Sequence, residues 1–152
     1  MTLRPFQPSA RAKSMTGLVC ALMLLAPAAL AADTASLTVT FEGLKTHTGS
    51  VMMSLVGEAA YDGKAAPAAQ TMVSAAGDTV TATFNGLAPG QYAIKAFHDV
   101  DGDGKMGANP FGIPTEPYAF SNNAAGAMGP PKWSAAAFEV KAGANTHAIK
   151  ID

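Results

Sequence analysis

Leu37-Thr38-Val39-Thr40-Phe41 alternates apolar and polar residues with period two. That is the pattern of a strand with one face in a core and the other in water. Thr79 to Phe84 repeats it, with threonines at 79, 81 and 83 outward and Val80, Ala82 and Phe84 inward. Val51 to Val56 is apolar on both faces apart from Ser54, which suits a central strand with Met52 and Met53 as core filler. A weaker strand is expected around Thr71 to Ala75, and Gly77-Asp78 then reads as the turn of a hairpin. Asn85-Gly86 and Pro89-Gly90 both predict turns. Tyr92 to Phe97 resumes as a strand and delivers the chain into His98. Ala136 to Val140 and Thr146 to Ile151 close the sequence as two more strands. Glu58 to Ala69 reads as a loop, and no helix is expected beyond the N-terminal segment. About seven short strands in one domain predict an all-β fold, a single antiparallel β-sandwich with one long loop between Asp99 and about Lys132.

The N-terminal segment obeys a different pattern. Arg4, Arg11 and Lys13 precede an apolar run from Met15 to Leu30, and Ala29-Leu30-Ala31 presents small residues where a signal peptidase reads. Residues 1–31 are therefore expected to be a secretory signal peptide and 32–152 the sandwich domain, in the periplasm or secreted. The apolar run is shorter than the ~20 residues a spanning helix needs, and Pro27 interrupts it, so no stable membrane insertion is expected after cleavage. Cleavage also removes Cys20, the single cysteine, so no disulfide or thiol chemistry is expected in the mature chain. It takes three of the ten Lys/Arg and none of the eleven acids, which leaves a net charge of −4. An acidic chain without a basic run is a poor partner for nucleic acid.

The sharpest chemical signal is His98-Asp99-Val100-Asp101-Gly102-Asp103-Gly104-Lys105. Carboxylates at alternate positions followed by glycine form the first half of a calcium loop, in which the side chains curl onto one ion and the glycine turns later carbonyls toward it. Asp99, Asp101 and Asp103 are the expected ligands, with the Lys105 backbone carbonyl as an additional one. An EF-hand needs a bidentate Glu at position twelve, and Pro110 stands there, so Glu116 is the candidate that folds back to close the site. The competing reading is a loop of Asx turns, with the aspartates bonded to backbone N–H groups and no ion.

Two stretches carry a family resemblance. Phe84-Asn85-Gly86-Leu87-Ala88-Pro89-Gly90-Gln91-Tyr92-Ala93-Ile94 resembles the turn-and-strand signature of transthyretin-like (prealbumin-like) sandwich modules. More specifically, the run from Pro89 to Met106, then Phe111-Gly112-Ile113-Pro114-Thr115-Glu116-Pro117-Tyr118-Ala119-Phe120-Ser121-Asn122-Asn123, resembles the bacterial exported family called domain of unknown function 2141. Pro117 and Ala119 stand where that family's pattern has glycine. The resemblance implies a β-sandwich and export, and implies no activity.

Function is expected to be that of an exported non-enzymatic module with calcium as its cofactor. The alternative is an envelope protein that holds a glycan or peptide with the long loop, using His98, Phe111, Tyr118, Phe120 and Asn122. A hydrolase using His98 and Glu116 is the weakest reading. His98 and Asp99 are strand neighbours that point to opposite faces, and no nucleophile stands in a recognisable motif.

Overall fold

The segments expected as strands fold as strands, and two of them, one alternating and one apolar on both faces, set the two layers. The computed structural model describes residues 34–151; the expected signal peptide lies outside them. In the first layer, β1 (Ala35–Glu42) is central. It pairs antiparallel with β4 (Thr79–Leu87) and in parallel with β8 (Gly143–Lys150). In the second layer, β2 (Ser50–Val56) lies between β3 (Ala69–Ser74) and β5 (Gly90–Asp99), antiparallel to both. The far edge of β5 is shared. β7 (Phe138–Val140) pairs with Gly90–Tyr92 and β6 (Tyr118–Phe120) with Lys95–Phe97. The result is an all-β sandwich of eight strands in two sheets.

Leu37, Val39, Phe41, Val51, Leu55, Val80, Phe84, Ile94 and Ile149 are buried between the sheets in one cluster, with Phe138 packed against its margin. The inward residues expected from the alternation are in that core. Burial of such side chains contributes roughly 1.5–3 kcal/mol each, so the core dominates stability.

Five local expectations change. Gly77-Asp78 does not close a hairpin: β3 and β4 belong to different sheets, and the turn carries the chain across the sandwich. Asn85-Gly86 does not end a strand. β4 runs through it as a bulge, where Ala35 and Leu37 of β1 face Leu87 and Phe84 and Gly86 takes φ +70°. β8 joins its sheet in parallel rather than antiparallel. Two single-turn helices form, α1 (Glu58–Tyr61) within a stretch read as loop and α2 (Trp133–Ala136) just ahead of an expected strand, whose first residue, Ala136, it takes. One turn is too short to leave a periodic signal. Met53 fills the core, but Met52, its strand neighbour, points to the opposite face and is only half-buried.

That opposite face of the five-stranded sheet has three zones along the strands. At one end α1 and α2 cover Val56 and Ala93 with a small second cluster that includes Tyr61 and Ala136. In the middle the face is open and lined by side chains. At the other end Asp99 begins the long loop. No helix among the described residues is long and apolar enough to cross a membrane.

Candidate metal-binding loop

β5 carries Asp99 to the rim of the sheet, opposite Ser50 of β2. Its carboxylate is buried, with only 4% of the residue exposed, and the loop wraps around it. Asp99 Oδ1 accepts the N–H groups of Gly102 at 2.8 Å and Asp103 at 3.1 Å, and Oδ2 accepts that of Gly104 at 3.0 Å. Gly102 and Gly104 each take φ +77°, which turns those N–H groups inward at a conformation other residues rarely adopt. Three N–H donors offset the burial of this carboxylate and leave an acceptor site on Oδ2, so one side chain fixes the curl of the loop and still offers an oxygen to a cation.

Asp101 and Asp103 lie exposed on the outside of the curl. Asp101 Oδ1 accepts the Asp103 N–H at 3.2 Å and Asp103 Oδ1 accepts the Lys105 N–H at 2.8 Å. These are the expected Asx bonds, and they engage one oxygen of each carboxylate. Ligand atoms of Asp99, Asp101 and Asp103 lie within 4.8 Å of one another, close enough to share a metal ion. The set offers only oxygen, which selects hard cations. Like charges at ~4 Å repel by about 1 kcal/mol per pair even in bulk water, and a cation relieves this.

Glu116 does fold back, by a route invisible in the sequence. A small closed hairpin returns the chain: Thr115 donates to the Gly107 carbonyl at 2.9 Å, and Ala108 bridges to Pro114. Asn109 Oδ1 pins its tip through the N–H groups of Phe111 and Ile113 at 2.9 and 3.0 Å. Glu116 then accepts the Val100 N–H with Oε1 and the Gly107 N–H with Oε2, both at 2.8 Å. It clasps the two ends of the aspartate loop rather than joining the cluster of three. Lys105 is tied in through its N–H.

His98 is buried on the core side. Its Nε2–H donates to the Thr48 carbonyl at 2.7 Å and its backbone N–H to Pro117 at 2.8 Å, so the ring anchors the neighbouring turn. Asn122 is also committed, donating its side-chain amide to the carbonyls of Ala135 and Ala137 at 3.0 and 2.9 Å. Both stand apart from the open zone of the sheet, where Phe111, Tyr118 and Phe120 do meet. The expected five-residue ligand set is thus split between two anchors and three groove-lining aromatics.

Ser121 was missed. Ile94 lies between the stretches of β5 that β7 and β6 pair with, so the shared edge leaves its N–H without a strand partner there. Ser121 Oγ accepts that N–H at 2.9 Å and donates to the Ala136 carbonyl at 2.6 Å. Asn122 and Asn123 follow with φ of +60° and +51°, a region asparagine tolerates better than most residues. Asn123 Oδ1 accepts the Lys150 N–H at 2.8 Å, and the Asn122 N–H donates to His147 Nε2 at 3.1 Å. The Ser-Asn-Asn run is a knot that joins β5, α2 and β8. Its composition signals a turn; its partners are too distant in sequence to read.

A family model described as an uncharacterized protein conserved in bacteria (DUF2141) matches residues 39–148. No curated protein and no solved structure matches the chain. The likeness to transthyretin-like modules therefore rests on residues 84–94 alone.

Proposed function

The chain belongs to this DUF2141 family of bacterial proteins, and we propose that it is an exported, non-enzymatic β-sandwich module whose Asp99 loop is ordered by calcium. One observation carries the reading: the Asp99, Asp101 and Asp103 ligand atoms, all oxygens, lie within 4.8 Å of one another. The buried Asp99 is already held by three N–H groups, so part of the ordering needed for binding is in place before the ion arrives. Calcium suits a flexible loop that adds carbonyl and water ligands, whereas magnesium demands a tighter octahedral shell. Glu116 is occupied as a clasp, so three carboxylates form the whole charged set and the affinity is weak, on the order of 10⁻⁴–10⁻³ M. Export is supported by the basic start and apolar run ahead of Ala31. A non-enzymatic role is supported by His98, whose Nε2 is spent on the Thr48 carbonyl.

The test is a pair of thermal melts, in calcium and in chelator. The unfolded chain cannot gather the three carboxylates, so at a hundredfold excess over the dissociation constant calcium stabilises the fold by ~2.7 kcal/mol. For a domain of this size the midpoint rises on the order of 10 °C, and magnesium does less. Coincident melts at millimolar calcium would leave the loop as Asx turns alone.

A further inference from the structure

The middle zone of the five-stranded sheet is a groove of about 1180 Å³, above the ~300–1,000 Å³ of ordinary small-molecule pockets. All the large apolar side chains left exposed among the described residues line it: Met72, Met106, Phe111, Ile113, Tyr118 and Met128. Single exposed hydrophobes need no explanation, but their gathering in one place does.

The floor has an ordered chemistry set by strand register. Met72, Met52, Phe97 and Tyr118 stand opposite one another across β3, β2, β5 and β6, an apolar row spanning the sheet. The next row on the same face pairs Gln70, Ser54, Lys95 and Phe120. The Gln70 amide donates to Ser54 Oγ at 2.9 Å. Lys95 is the single charged side chain among the described lining residues. Its Nζ donates to the Tyr61 carbonyl at 2.6 Å and sits 4.3 Å from the centre of the Tyr61 ring. An ammonium has three donors, so this leaves two for a ligand. No described carboxylate pairs with it. Burial lowers its pKa, with the charge of Asp62 pulling the other way.

We propose that this groove binds a free long-chain carboxylate, an amphiphile whose chain lies along the methionine–aromatic row and whose acid head meets Lys95. Flexible thioethers adapt to a chain of no fixed shape, and the acid supplies a direct carboxylate partner, which no described side chain gives Lys95. A peptide fits less well, because the groove lies on the face of the sheet, whereas strand addition uses its edge. A glycan needs many hydrogen-bonding partners, and most of this lining has none to give. The inference is independent of the calcium reading.

The test is titration of the purified protein with dodecanoate and with dodecanol, both below their aggregation limits. Dodecanoate binds the wild type. Lys95→Met weakens it on the order of tenfold, the scale of one charge-assisted hydrogen bond. Lys95→Arg restores it, and dodecanol is indifferent to both. Met72→Glu, at an exposed position, abolishes binding of either ligand while melting with the wild type. No dodecanoate binding, undiminished binding to Met72→Glu, or equal loss of acid and alcohol in Lys95→Met overturns the proposal. Binding of an oligosaccharide or peptide in place of dodecanoate overturns it in favour of that class.

Discussion

Both the Asp99 loop and the Ser121–Asn123 knot hold irregular backbone with bonds from short polar side chains, but they differ in charge. In the knot the bonding side chains of Ser121, Asn122 and Asn123 are neutral, and each meets partners within the fold. In the loop Asp99 holds three backbone N–H groups, while Asp101 and Asp103 bring two further negative charges with no cation among the described residues paired to them. A network of neutral groups that satisfies itself specifies structure and asks for nothing from solution. A network with surplus like charge is satisfied only when something positive arrives. The comparison therefore separates a device for stability from a device for binding, although both look like polar turns in the sequence.

The largest effect should come from the knot. Ser121→Ala leaves the buried Ile94 N–H and Ala136 carbonyl without their partner. At ~1–3 kcal/mol for each of the two unsatisfied groups, destabilisation of about 2–6 kcal/mol is expected, the same in calcium and in chelator. Denaturant melts under both conditions check it, and a loss confined to one of them would join the two regions into a single device.

Asp101→Ala should show the reverse. The residue is exposed and gives up one bond of 3.2 Å, so stability in chelator should stay within ~0.5 kcal/mol of the wild type. The calcium-induced rise in melting temperature should vanish. An intact calcium response in this variant would move the ion elsewhere.

The smallest effect is a pH dependence of the knot. Burial lowers the pKa of His147 from its ordinary 6.5, and its Nε2 accepts the Asn122 N–H. The ring also stacks on Phe138 at 4.1 Å. The folded state favours neutral imidazole, so the unfolded state takes up the proton first. The contribution is full above pH 6.5 and is lost as pH falls from there toward the lower folded value. Melts of wild type and His147→Gln between neutral and mildly acid pH should converge on acidification. Parallel curves would remove His147 from the knot's energetics.

Periodicity in the sequence was enough for β1 and β4 and their core residues from Leu37 to Phe84, and an apolar run and a turn signal were enough for β2 and β5. Side chains two apart share a strand face whatever the strand pairs with, so such a pattern survives without knowledge of partners. The aspartate spacing was legible for the same reason: it describes a local curl, closed by bonds over at most five residues. Pairing across the sandwich is different. Gly77-Asp78 satisfies the rules of a hairpin turn and of a sheet-to-sheet crossing equally well, and only the competing contacts of β1 and β2 decide between them. The role of Glu116 depends on a small hairpin that places it at Val100, sixteen residues back. The gap that Ser121 fills exists only because two short strands share one edge of β5. The groove is the extreme case: Phe111 and Tyr118 stood out as candidate ligand contacts, but Met72, Met106, Ile113 and Met128 are scattered through the chain and each alone reads as filler. Tertiary structure makes them a surface, because the register of four strands and the return of one loop bring distant residues to the same face.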